Sequence, residues 1–207
     1  MTPPPRPPEH APVAGEHSLP RQLTGFQSPI VWGAILLVVI EATIASLFVV
    51  SYFYLRLGAP EWPPAGTAPP ELLEPTVAQL LLLLSPVPVW VALRPLARDR
   101  AGPLLWALPL GLLLAFLYLA LQVRSYLDRE DLWNTHAYGS LNWSMGGYAG
   151  LHVVTVLLAG SVIWALAKRG HFGARRHTGV QALLVYWIFV AVSSLFFYAT
   201  QYLAPRI

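Results

Sequence analysis

The sequence predicts an all-α fold: a polytopic transmembrane bundle of five helices, with its N-terminus inside and its C-terminus outside. Three observations predict it. Of 207 residues, 56% are hydrophobic and 11% charged, against about 25% charged in ordinary soluble domains, whose surface must be largely polar. Five apolar stretches each approach the roughly 20 residues that cross about 30 Å of hydrocarbon at 1.5 Å per residue. Lysine and arginine are also divided unevenly between the two sides of those stretches.

Residues 1–29 hold eight of the twenty prolines and few large apolar side chains, which predicts a solvated, disordered tail. No apolar signal-peptide core precedes Ile30, so the first helix is expected to be retained. The transmembrane domain, 30–207, is predicted to place its helices at about 30–55, 75–93, 103–123, 144–167 and 179–203. Pro86 and Pro88 each remove a backbone donor and should kink the second.

Alternating the spans places nine of the thirteen basic residues on the N-terminal side: Arg6, Arg21, Arg94, Arg98, Arg100, Lys168, Arg169, Arg175 and Arg176. Arg56, Arg124, Arg129 and Arg206 fall on the other. The excess predicts an inside N-terminus, and an odd number of spans then puts the C-terminus outside. Trp32, Trp62, Trp90, Trp143, Tyr126 and Tyr202 fall near predicted helix ends, as rings of an interfacial belt would.

Composition removes several function classes. The chain has no cysteine, which excludes disulfides, thiolate nucleophiles, iron–sulfur clusters and cysteine-ligated zinc or copper. Its pI of about 9.4 does not imply nucleic-acid binding, because the net charge is only +3 and the basic residues sit in short loops. GxSxG, HExxH, P-loop and Ser/Lys patterns are all missing, so no catalytic residue is assigned.

Two ionisable side chains fall inside predicted spans. Glu41 lies eleven residues into the first, where a charge at the bilayer centre costs at least about 2.5 kcal/mol. It is expected to face protein, either as a neutral carboxyl bonded to a neighbouring helix or with a role in proton handling or subunit contact. His152 lies in the fourth span; His10 and His17 are in the tail, His136 in an outer loop, and His171 and His177 in an inner loop. One imidazole is neither a bis-histidine haem site nor a zinc or copper site. It reads first as a hydrogen-bonded packing element and second as a proton relay. Gln122 and Tyr126 share a face at the outer end of the third helix. Gly146 and Gly150 form a small-xxx-small pair that permits close helix approach.

These residues resemble the subunit III family of haem–copper oxidases, in its short five-helix form. Trp32 through Glu41 to Tyr52-Phe53-Tyr54-Leu55-Arg56, then Trp62-Pro63-Pro64-Ala65-Gly66, resemble that family's glutamate-bearing helix, aromatic exit and WPPxG loop. Gln122 and Tyr126 match its Q-x-x-E-Y segment, with Ser125 in place of the Glu. Gly147-Tyr148-Ala149-Gly150-Leu151-His152-Val153 is similar to G-F-H-G-x-H-V, with Ala149 at the first His. Tyr186-Trp187-Ile188-Phe189-Val190 is similar to Y-W-H-F-V-D, with Ile188 and Ala191 at its His and Asp. The substituted groups are of the type that would form one intramembrane polar network, so the expectation is a dismantled cluster with Glu41 and His152 as its remnants.

The resemblance implies a non-catalytic subunit of a respiratory terminal oxidase, oxidising cytochrome c or quinol, that supports assembly and sustained proton-coupled oxygen reduction. It implies no cofactor or metal on this chain, with haems and copper in partner subunits. The implied partners are oxidase subunit I, subunit II and membrane lipids, and the implied location is a bacterial cytoplasmic membrane. Two rival readings are a subunit-III-like accessory protein of a nitric oxide reductase and a small proton channel or transporter using Glu41 and His152.

Overall fold

The computed structural model describes residues 27–67, 71–129 and 132–206; most of the expected disordered tail lies outside them. Among the described residues, five helices are long and apolar enough to cross a membrane: Pro29–Gly58, Leu73–Leu96, Gly102–Leu127, Ala137–Lys168 and Thr178–Arg206.

Helix α1 (Pro29–Gly58) starts where Ser28 Oγ accepts the Ile30 amide and Pro29 supplies a preset φ at the first position. At its far end Arg56 Nη1 donates to the Ala204 carbonyl at 2.9 Å, fastening α1 to the end of the fifth span. The second span is two helices, α2 (Leu73–Leu84) and α3 (Val87–Leu96), broken at Ser85-Pro86 where the prolines predict it. The break is filled from two sides. Trp187 Nε1 donates to Ser85 Oγ at 2.8 Å, and a methyl group on Gly111 would stand 2.5 Å from the Ser85 carbonyl.

Helix α4 (Gly102–Leu127) opens on Pro103 and carries Pro109 inside it. Helix α5 (Ala137–Lys168) is 32 residues long and is capped by His136, whose Nδ1 accepts the Gly139 amide at 2.8 Å. It begins seven residues before the predicted 144–167, because hydropathy marks only the lipid-immersed part of a helix that is about 48 Å long. His136 is thus the last residue of its loop, as expected, and serves as the cap of α5. Helix α6 (Thr178–Tyr198) continues as a π-helical turn, Ala199–Leu203, and a 3₁₀ turn, Ala204–Arg206.

The main core lies where α2 and α3 pack with α4, α5 and α6, around Leu82, Val89, Leu104, Leu108, Val153, Val156 and Trp187. Helix α1 lies to one side, against α6 and α5, and buries only Val31, Ala45 and Tyr52. Its remaining surface is apolar, with Leu36, Ile40, Leu47 and Val50 about 60% exposed, which suits lipid or a partner helix and not water. The WPPxG segment folds back on a smaller core: Trp62 meets Tyr52 and Tyr138 edge-on, each at 5.3 Å. Gly66 closes that loop at φ +85°, a conformation that favours glycine.

Candidate functional site

Glu41, on the α5-facing side of α1, and His152, on α5, meet inside the bundle. Glu41 Oε2 lies 3.2 Å from His152 Nε2 and 2.8 Å from the Tyr148 hydroxyl, which also reaches the Glu41 carbonyl at 2.9 Å. His152 Nδ1 lies 2.7 Å from the Tyr148 carbonyl. A carbonyl only accepts, so Nδ1 carries a proton and the Nε2 lone pair is aimed at the carboxyl. Two facing lone pairs would repel; one proton therefore lies between Glu41 and His152. The pair has no net charge whichever partner holds it, and this lowers the cost of an ionisable group at that depth.

Aromatic rings enclose the imidazole. Tyr148 lies against it at 4.0 Å, Tyr186 stacks at 6.1 Å, and Phe189 approaches edge-on at 6.4 Å. The Glu41 side chain is 22% exposed and that of His152 only 9%. Tyr148 had no assigned role in the sequence, although it stands four residues before His152 and so shares its helix face.

A second polar group occupies the end of the bundle where α2 begins and α4 ends. Gln122 Nε2 donates to the Gly146 carbonyl at 3.0 Å, and the Tyr126 hydroxyl to the Asn142 carbonyl at 2.7 Å. Gly146 permits this approach, since a methyl group there would overlap the Tyr126 hydroxyl; Gly150 faces Leu119 more loosely at 3.7 Å, and Gly147 faces nothing within 4 Å. Ser194 donates to Gln79 Oε1 at 2.8 Å, and its hydroxyl lies 3.1 Å from that of Tyr118. Sequence reasoning missed Gln79, Tyr118, Asn142, Ser194 and Gln201. Each is a single uncharged polar residue in an apolar helix, and only their convergence gives them weight.

Two expectations are corrected. Tyr126 and Tyr202 are not belt rings: the first is bonded inside the bundle, and the second is buried and stacks on Tyr198 at 5.5 Å. The substituted positions also do not form one cluster. Ile188 and Ala191 share a face, as their spacing requires, but it lines an apolar cavity with Leu83, Pro86 and Trp90. Ala149 lines the cavity beside Gln122 and Ser194. Of that set, the structure joins Glu41 to His152, while Ile188 and Ala191 face α2 and α3.

Fold and site define a class: a five-span integral membrane protein in which the ionisable groups inside the spans, Glu41 and His152, pair with each other. Among the described residues, no group of three or more His, Cys, Asp and Glu could hold a metal ion, and both ring nitrogens of His152 are engaged. The family profile for cytochrome c oxidase subunit III matches residues 10–205, and the chain belongs to that family. It is similar to cytochrome c oxidase subunit 3 of Synechocystis sp., 32% identical over 176 residues, 83% of this chain and 74% of that one. The corresponding protein of Thermostichus vulcanus is 28% identical over 177 residues, covering 85% and 88%. That of Gallus gallus is 32% identical over 177 residues, covering 83% and 68%. These matches favour neither the nitric oxide reductase reading nor the channel.

Proposed function

We propose that this chain is the non-catalytic subunit III of a respiratory haem–copper oxidase, packing beside the catalytic subunit I, with subunit II and membrane lipids as further neighbours. The observation that carries this reading is the family match over nearly the whole chain. Two features of the chain support it. Among the described residues, the histidine inside a span has both nitrogens engaged, which agrees with haems and copper being held, and dioxygen reduced, in partner subunits. Its outer surface, above all that of α1, is apolar along its length and free to meet other helices or lipid. The lysine and arginine excess on the N-terminal side supports an N-terminus inside and a C-terminus outside, and the membrane proposed is a bacterial cytoplasmic one. Within the assembly, Glu41 and His152 hold α1 against α5 and keep the subunit competent for sustained turnover.

The test is purification of the full chain from native membranes in mild detergent, followed by an optical spectrum. Haem absorption co-eluting with the chain is the expected result. A colourless, partnerless preparation that conducts protons in liposomes would overturn the reading.

A further inference from the structure

Between α2, α4, α5 and α6 lies a cavity of about 40 Å³, at the end of the bundle marked by Glu74 and Ser125. Its wall is polar for the interior of a membrane bundle, with Gln79, Tyr118, Gln122, Ser194 and Gln201 contributing. Gln79, Ser194 and Gln201 are 3–4% exposed. Ser194, Gln79 and Tyr118 already form a hydrogen-bonded chain along it. Two lining oxygens accept from no protein donor, Glu74 Oε1 and Gln122 Oε1. Gln122 binds the Gly146 carbonyl through Nε2, but its Oε1 is shut off from the surface and accepts from no protein donor. A buried acceptor without a donor destabilises a fold, and such atoms are characteristically satisfied by internal water.

The space fits that solution. A water needs at least about 10–15 Å³ and two to four polar partners, so the cavity has room for at most about three. Volume alone would not make a water site: the cavity beside Ile188 and Ala191 is larger, about 230 Å³, but apolar side chains line it. We propose that the polar cavity is a water site, a small cluster anchored on Gln122 Oε1 and on the Ser194–Gln79–Tyr118 chain, exchanging with solvent past Glu74. Ala149 and Phe197 close its inner side. The ring of Phe197 packs at 5.7 Å against Tyr148, which places an apolar wall between this water and the Glu41–His152 pair.

Met145 gives the test a reporter, because it lines the cavity and is 0% exposed. X-ray radiolysis of the full chain in nanodiscs, in ¹⁸O-labelled water, converts a thioether to its sulfoxide where water lies beside it. Mass spectrometry should find ¹⁸O on Met145 of the native chain, and most of that label lost in Gln122→Leu, which removes the anchoring oxygen. An unlabelled native Met145, or equal labelling in both chains, would overturn the proposal. An independent measurement on the native chain is a density map of its complex that resolves ordered water. Peaks within hydrogen-bond distance of Gln122 Oε1 are expected, and an empty cavity rejects the site.

Discussion

His152 Nε2 stands 3.2 Å from Glu41 Oε2 with one proton between them, and the other imidazole nitrogen is held by the Tyr148 carbonyl. The arrangement works as a unit, so removing either partner exposes the other. His152→Leu and Glu41→Leu are each expected to destabilise the chain by about 2 kcal/mol, below the range for breaking a fully buried pair because Glu41 is partly exposed. The double variant should cost less than the sum, with a coupling of about 1 kcal/mol. Thermal unfolding of the four chains in nanodiscs measures this; strict additivity would refute the pair.

Neighbouring glycines give an internal control for close helix approach. Gly146→Ala drives a methyl group into the Tyr126 hydroxyl and should cost about 1–3 kcal/mol. Gly147→Ala meets nothing within 4 Å and should stay within about 0.5 kcal/mol of the native chain. Equal stabilities would show that α4 and α5 do not pack as described.

Ser85→Ala leaves the fully buried Trp187 indole N–H without its acceptor, for an expected loss of about 1–3 kcal/mol. Trp187→Phe in the same background should add only its packing cost, because the donor is gone. Chemical denaturation of the single and double variants tests the order of these effects.

Arg56→Gln shortens the side chain that binds the Ala204 carbonyl. Amide exchange at residues 199–206 should then quicken, while that at the buried centre of α4 should not. Unchanged exchange at the end of the fifth span would mean that the link carries no load.

A chain without cysteine is suited to labelling from one side of the membrane. Glu61→Cys should react with an impermeant maleimide from outside, and Arg175→Cys only after permeabilisation. The reverse pattern would overturn the proposed orientation.

The five spans were legible because lipid imposes a length and a hydropathy that few other environments require. The start of α5 was not, since Ala137–Trp143 is helical beyond the apolar core and is capped by His136. Glu41 and His152 stood out as ionisable groups in apolar spans, and the structure joins them. Tyr148 was hidden because a tyrosine in a span passes for a packing ring. Ile188 and Ala191 misled for another reason: i,i+3 spacing fixes a common face on α6 but not the neighbour that face meets, and here it is α2 and α3. The Gln79–Ser194–Tyr118 chain was out of reach, being drawn from three helices far apart in sequence.

The broken second span also sets an order of assembly. Its Ser85 hinge rests on Gly111 and on Trp187, which the ribosome adds 26 and 102 residues later. While the chain is being made, α2 and α3 can enter the bilayer but have nothing to bend around. The joint acquires its hydrogen-bonded shape only when the last span arrives. A nascent chain stopped before Trp187 should thus hold four inserted helices and an unset hinge, with the final helix acting as the closing piece of the bundle.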